Sequence, residues 1–156
     1  MIEYIPLHIA AIQTIGRTIV EFDDNNVFAL VPANLDTAQL PALYSLTGSA
    51  TYNESTMGEW FEEVTRIYRI QVPVVPIGQA NPETRESLCR PLIEKTAYTF
   101  NQYPTLGNCQ GVRANGVRVL SDSGIVVLPE WGAKFVGFEI RLQVVYDVPR
   151  EFAPGE

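Results

Sequence analysis

An alternation of apolar and polar residues in 134–148, KFVGFEIRLQVVYDV, is the clearest pattern along the chain. A β-strand has this period of two, because successive side chains point to opposite faces of the sheet. The segment therefore predicts a core strand, and each large apolar side chain that it buries contributes roughly 1.5–3 kcal/mol. Its apolar face carries Val136, Phe138, Ile140, Leu142, Val144, Tyr146 and Val148, and its other face carries Glu139, Arg141, Gln143 and Asp147.

A second stretch of alternation, in 63–75, predicts another core strand with Tyr68 and Ile70 on its apolar face. Pro73 has no N–H to donate, so this strand must have an edge or a bulge at that point. Shorter apolar runs predict further strands at 40–46, 112–120 and 125–128, and 27–31 is either a strand or a core-packed connection. The polar residues 121–124 form either a tight hairpin turn or a bulge within one long strand.

Helical periodicity occurs in two places. In 7–21 isoleucines recur at helical spacing, which predicts an amphipathic helix stopped by the turn formers of 23–26. Asn81 and Pro82 are typical of an N-cap and a first helical position, so a second helix should begin there and run to about residue 100. Pro91 lies inside that helix, where a lost hydrogen bond predicts a kink.

The order of these elements is helix, two strands, helix, and two or three strands. This order predicts an α+β fold with a largely antiparallel or mixed sheet of about four to five strands and two main helices packed on one face. Residues 1–148 should form a single domain and 149–156 a mobile C-terminal tail. The polar segment 48–60 is expected to be a long loop or a protruding hairpin tip, and such segments often carry function.

Composition limits the classes of function. The formal charge of −7 argues against a nucleic-acid grip, which needs clustered Lys and Arg. An acidic wall would suit a channel through which DNA slides, although the charge could equally serve solubility. No apolar run is long enough to cross a membrane and no secretory signal is recognised, so we expect a cytoplasmic protein with Cys89 and Cys109 as free thiols.

The sequence offers no set of residues for catalysis, a metal or a cofactor. His8 is the only histidine, and it has no Cys, Asp or Glu at ligand spacing. It also has no nucleophile motif to serve as a base, so we do not expect an enzyme. Four aromatic residues lie in or beside predicted turns: Trp60, Phe61, Trp131 and Phe135. They either form a protein interface or close the ends of the core, and the sequence leaves both alternatives open.

From residue 66 onward the chain resembles a known family. The run RIYRIQVPVVPIGQ is followed by ANPETRESLCRPLIEK, the motif F-x-x-Y-P-T-L-G, then VLSDSGI and FVGFEIRLQV. These features resemble the tail-terminator proteins of long-tailed bacteriophages, also called tail-completion or head–tail joining proteins. The likeness covers about residues 60–148 and lies in the order of strands, helix and turns.

This resemblance implies a virion protein at the tail–neck junction, made in the host cytoplasm. A homo-oligomeric ring, expected to be a hexamer, would cap the head-proximal end of the tail tube and stop its polymerisation. Its partners would be the tail-tube protein and the head-completion or neck protein, and DNA would pass through the lumen without specific binding. Such a ring needs two different patches that meet and close after a fixed rotation.

By analogy with this family, segments 48–60 and 121–131 would contact the tube or neighbouring subunits. Together with the aromatic residues, they give the candidate interface Tyr52, Trp60, Phe61, Asp122, Glu130, Trp131 and Phe135. Two alternatives remain open. One is a head-closure or tail-tube subunit, and a tail-tube protein is expected to have a longer, flatter hairpin for stacking. The other is a small ligand-binding or enzymatic α+β domain.

Overall fold

The computed structural model describes residues 2–32, 35–56, 58–128 and 134–151. It has two α-helices, α1 (Tyr4–Gly16) and α2 (Pro82–Asn101), and two short 3₁₀ turns at Thr37–Gln39 and Ile77–Gln79. The strands are β1 (Val27–Phe28), β2 (Leu43–Glu54), β3 (Phe61–Pro76), β4 (Val112–Asp122), β5 (Val126–Val127) and β6 (Phe135–Pro149).

The six strands form one mixed sheet in the order β1-β2-β3-β6-β4, and β5 also pairs with β6. Only the β1–β2 pair is parallel; the other pairs are antiparallel. This confirms the predicted α+β class. The sheet has more strands than the predicted four to five because the two-residue strands β1 and β5 also join it.

The predicted apolar face of β6 packs under both helices, and this face of the sheet is called the covered face below. Phe138, Ile140 and Leu142 are fully buried there, together with Tyr68 and Ile70 of β3. Both helices contribute to the same core cluster, α1 with Ile12 and Ile15 and α2 with Cys89, Leu92 and Phe100. The opposite face, called the open face, has a smaller apolar cluster at one end, around Tyr44, Leu128 and Phe135.

The first helix differs in its bounds from the predicted 7–21. It begins at Tyr4 and ends at Gly16, where a side chain would press against Leu43 of β2. Backbone bonds from Thr18 to Ile15 and from Ile19 to Gly16 then form tighter turns. The helix therefore ends where it packs closely against Leu43 of the sheet.

The second helix begins as predicted. The Asn81 side chain accepts a hydrogen bond of 2.9 Å from the Thr84 N–H, and Pro82 occupies the first helical position. The helix continues through Pro91 to Asn101. The predicted kink at Pro91 stays a prediction.

The hairpin between β2 and β3 corrects the interpretation of 48–60 as a long loop. β2 continues to Glu54 and pairs with β3 up to Glu54 opposite Glu62. The register shifts by one residue between Thr47 and Ala50, where a Cβ on Gly48 would lie 2.4 Å from the Ile67 carbonyl oxygen. The structure has the alternative, a hairpin, and β6 pairs with β3 as far as Phe61 opposite Pro149.

The segment 121–124 is a bulge rather than a hairpin turn, because β4 and β5 pair with the same strand in the same direction. Asp122 lies opposite Ile140, and Val126 lies opposite Gly137. Between them, Ser123 bonds both backbone groups of Glu139, its N–H to the carbonyl at 2.9 Å and its Oγ to the N–H at 2.8 Å. The predicted bulge at Pro73 is also present, between Pro73 and Val75.

The predicted tail begins later than residue 149. Pro149 is part of β6, and the N–H of Arg150 donates to the Trp60 carbonyl at 2.7 Å. The rest of the predicted tail, 152–156, lies outside the described residues.

Candidate protein interface

The end of the β2–β3 hairpin, described in 52–56 and 58–62, carries exposed residues of the predicted interface and is called the hairpin tip. Tyr52 is 56% exposed and Trp60 is 62% exposed. Phe61 is half-buried and pairs with Pro149 of β6. Three of the seven predicted interface residues therefore lie on this hairpin tip.

An ion-pair cluster holds the hairpin tip to the rest of the sheet. Arg113 of β4 donates to both carboxylate oxygens of Asp147, each at 2.8 Å, and lies 2.6 Å from the Glu63 carboxylate. Ser55 donates to Asp147 at 2.7 Å and accepts from Arg113 at 3.0 Å. These donors hold the pKa of Asp147 below its usual value, the Arg113 hydrogen bond most of all. Three strands are thus joined by charge-assisted bonds.

Arg66 supports the exposed ring of Tyr52 from below. Its guanidinium donates to the Tyr52 hydroxyl at 3.0 Å, to the Gly48 carbonyl at 3.1 Å and to the Tyr146 hydroxyl at 3.3 Å. Three acceptors hold the Arg66 guanidinium, and Arg66 in turn holds the Tyr52 hydroxyl, so Tyr52 loses little freedom when a partner binds its ring. The cost of ordering Tyr52 on association is therefore reduced.

The hairpin tip and its surroundings are acidic. Six described carboxylates lie there: Glu54, Glu59, Glu62, Glu63, Asp147 and Glu151. Three arginines, Arg66, Arg113 and Arg150, lie beside them, which leaves a formal charge of −3. Most of the charge is therefore available to a basic partner surface.

A network of buried polar groups occupies the open face. Glu139 accepts from Arg69 at 2.8 Å and from the Gln71 amide at 3.0 Å, and the Tyr44 hydroxyl donates to Gln71. Arg141 lies directly opposite Arg69 and approaches Glu139 at 3.5 Å. One carboxylate therefore separates two arginines that would otherwise repel each other.

Beside this network lies a shallow depression, which we call the open-face recess. It has a volume of about 270 Å³ and crosses four strands, lined by Gly48, Ser49, Ile67, Arg69, Leu120, Ser121 and Arg141. The bulges of β2 and β4 flank it, at Gly48 and at Leu120. Arg118, on the neighbouring position opposite Gln143, is exposed and forms no ion pair with the described residues.

The remaining predicted interface residues lie elsewhere. Asp122 is exposed at the end of β4 and accepts from the Gly124 N–H at 2.8 Å. Phe135 is only 8% exposed and packs with Tyr44 and Leu128, so it closes one end of the core. It starts β6, whose far end reaches the hairpin tip roughly 45 Å away at the usual rise per residue. Glu130 and Trp131 lie outside the described residues.

The lone histidine is part of the core. His8 is fully buried, and its Nδ1 lies 2.7 Å from the Tyr68 hydroxyl. Its ring makes an edge contact with Tyr146 at a centroid distance of 4.5 Å. Burial, with a smaller effect of Arg66, lowers the pKa of His8 from 6.5 to about 4, so the imidazole is neutral at pH 7.

Within the described residues, no three His, Cys, Asp or Glu side chains are grouped so that they could hold a metal ion. Cys89 is buried, and burial raises the pKa of its thiol to about 11. None of the helices in the described part is long and apolar enough to span a membrane.

The arginines of the open face were missed by the sequence reasoning. The alternations of 63–75 and 134–148 place Arg69 and Arg141 on the polar faces of their strands, and no pattern in the sequence gives a role to Arg113 or Arg118. A signal was present, because the pairing of two alternating strands places their polar positions side by side. The register that makes them neighbours could not be obtained from either strand alone.

A scan against protein-family models finds no match to this chain, and a search of curated proteins finds none either.

Proposed function

We propose that this chain is a structural subunit that forms a ring at the head-proximal end of a phage tail tube. The ring stops tube polymerisation and joins the tail to the neck, and the chain carries out no catalytic step. The resemblance of residues 60–148 to tail-terminator proteins supports this proposal. The observation that carries it is the hairpin tip, which presents exposed Tyr52 and Trp60 on a support fixed by Arg113 and Arg66.

A closed ring requires two different surfaces on each subunit. The hairpin tip is acidic and aromatic, whereas the open-face recess is lined by arginines and lies on another part of the sheet. Two such unlike surfaces on one small domain suit a heterologous contact. They would not be needed for a symmetric dimer, in which one patch meets itself.

The charge of the chain agrees with a role around DNA. With a formal charge of −7, the subunit would repel phosphate and offer a passing duplex no strong hold. We therefore propose that DNA passes through the lumen of the ring without specific binding. The tail-tube protein and the neck protein are the proposed partners of the two rims of the ring.

A second candidate, a tail-tube subunit, is favoured by one observation. The β2–β3 hairpin is long, with strands of 12 and 16 residues, and a long hairpin is what stacking of successive rings would need. The two functions differ in their product. A terminator gives single closed rings, whereas a tube subunit continues to stack.

The first experiment measures the mass of the purified chain by light scattering across a concentration series, followed by negative-stain imaging. The proposal predicts closed rings of about six subunits with an open centre, the number coming from the family analogy. Open-ended tubes would replace it with the second candidate. A monomer at every concentration, with no cross-linked oligomer, would overturn both and favour a ligand-binding or enzymatic domain.

A second experiment addresses location. Antibodies against this chain are bound to particles of the phage that encodes it and imaged by electron microscopy. Label at the junction of tail and neck supports the terminator function. Label along the whole tail supports the tube subunit, and intact particles without label or chain contradict both.

A further inference from the structure

We propose that the acidic hairpin tip of one subunit docks on the open-face recess of a second copy of this chain. This inference rests on the proposed ring and names the two surfaces that close it. The occupant is a second copy because the chain itself carries a surface of matching charge and chemistry. Trp60 would enter the recess, and the tip carboxylates would face Arg118 and Arg141.

The charges of the two surfaces are opposite. The hairpin tip and its surroundings have a formal charge of −3, with three arginines against six carboxylates. Around the recess, Arg69, Arg118 and Arg141 face one carboxylate, Glu139, which leaves a formal charge of +2. This local excess is unusual in a chain whose total charge is −7. Opposite potentials of this kind steer two surfaces together and fix their orientation.

The arginines are presented for a partner. The Arg141 side chain is 59% exposed. Only its Nε approaches Glu139, at 3.5 Å from the carboxylate, so most of its N–H donors are available to a partner. Arg118 is exposed at the next position along the same face. A guanidinium can stack on an indole and bind a carboxylate at the same time, so one arginine could hold both Trp60 and Glu59.

The size of the recess fits a side chain better than a metabolite. Its volume of about 270 Å³ is below the range of roughly 300–1,000 Å³ that is usual for ligand pockets. Its apolar lining comes from Ile67 and from Leu120, which is 41% exposed. A buried aromatic anchor with a charged rim is the usual composition of a strong contact point between proteins.

The contact has to be made between molecules. Phe61 and Arg69 lie on the same strand, eight residues apart, so the tip and the recess are separated by roughly 25 Å along β3. The ion pairs of Arg113 keep the tip in line with the sheet. The tip therefore cannot fold back on its own recess, and the pairing of unlike surfaces leads to a ring or an open chain.

The test uses two charge-reversed variants of the full chain, Glu59→Lys with Glu62→Lys, and Arg118→Glu with Arg141→Glu. Each variant alone should associate at least about 100-fold more weakly, because like charges then face each other. Mixed together, they should assemble into rings in which the two variants alternate, since each intact tip meets an intact recess and each reversed tip meets a reversed recess. All four changes in one chain should restore the wild-type assembly.

Controls separate charge from folding. Glu83→Lys with Glu94→Lys makes the same charge change as the tip variant, but on the exposed side of α2, and should leave the assembly unchanged. Arg118→Glu alone breaks no described ion pair, so it serves if the double variant does not fold. Circular dichroism melts verify that each variant is folded.

The outcomes distinguish this inference from the proposed function. If the wild-type chain forms rings and folded variants of both surfaces still do, the docking inference is overturned and the ring function remains. The same conclusion follows if each folded variant is monomeric alone and the mixture of the two forms no assembly either. If the wild-type chain forms no assembly at all, both the ring function and the docking inference are overturned.

Discussion

The covered face and the open face of the sheet use the same strands but bury different groups. On the covered face, Phe138, Ile140 and Leu142 are fully buried among apolar side chains. On the open face, Gln71 is 1% and Glu139 is 9% exposed, yet both are polar. The polar side of an alternating strand is therefore not necessarily its solvent side. A buried polar row is tolerated here because each group has a partner.

The two faces should respond differently to substitution. Stability on the covered face depends on filled volume, so its losses follow the size of the atoms removed. Stability on the open face depends on satisfied hydrogen bonds and balanced charges, so its losses follow the number of partners left unpaired. Four substitutions or conditions test this difference.

The largest effect is expected at the centre of the covered face. Phe138→Ala should lower the free energy of unfolding by about 3–5 kcal/mol, because it removes a fully buried aromatic ring and leaves a cavity. Urea denaturation measures the change. Gln143→Ala, on the open face of the same strand, is the control and should change stability by about 0.5 kcal/mol or less. Equal losses would contradict the division between the faces.

Acid should weaken the covered face through His8. The folded chain keeps His8 neutral down to about pH 4, whereas the unfolded chain binds a proton below about pH 6.5. Stability from this group is therefore full above about pH 6.5 and is lost as the pH falls toward 4, by about 3 kcal/mol in total.

The measurement compares urea unfolding of wild type and His8→Gln at about pH 7 and about pH 4.5. Carboxylates such as Asp147 titrate in both proteins, so their contribution cancels in the difference. The wild type should lose more stability than the variant over this range. An identical pH dependence in the two proteins would show that His8 is not held neutral by burial.

A smaller effect is expected where the two central strands approach most closely. A Cβ added at Gly137 would lie 1.9 Å from the Val72 carbonyl oxygen, so Gly137→Ala must push β3 and β6 apart. We expect a loss of about 1–3 kcal/mol in urea denaturation. Gly78→Ala, where a Cβ meets nothing within 4 Å, is the matched control. A similar loss in both variants would mean that backbone freedom, and not the close approach, sets the cost.

The smallest effect is expected in the open-face network. Glu139→Gln keeps the shape of the side chain but removes the charge that separates Arg69 from Arg141. The loss should be about 1–2 kcal/mol, because hydrogen bonds remain while the two guanidiniums repel. Added salt should reduce the loss by screening this repulsion. A salt-independent loss would show that the carboxylate acts through packing alone.

Much of the fold could be predicted from periodicity. The apolar faces of β3 and β6, the Asn81 cap and the α+β class follow from patterns that local physics produces within a few residues. The helix end at Gly16 and the continuation of β2 to Glu54 could not be predicted in this way. Both depend on contacts with distant residues, Leu43 in the first case and 61–66 in the second.

The candidate interface was predictable only in part. Tyr52 and Trp60 are exposed as expected of contact residues, because polar, glycine-rich flanks kept them out of the core. Phe135 has the same residue type near a turn but packs with Tyr44, a partner that only the tertiary fold supplies. The arginine cluster requires the register of three strands, and no single segment contains that information.

The position of β6 in the chain has a consequence for folding. β6 is the last strand of the described chain but lies inside the sheet, where Val72 pairs with Phe138 and Phe61 with Pro149. Until β6 is in place, β3 has an unpaired side and the helices have no complete surface to pack on. The high sequence separation of these pairs predicts slow folding. Before β6 pairs, the β2–β3 hairpin has an unpaired strand edge, and we expect this edge to promote aggregation. Expression at lower temperature should therefore raise the yield of folded chain.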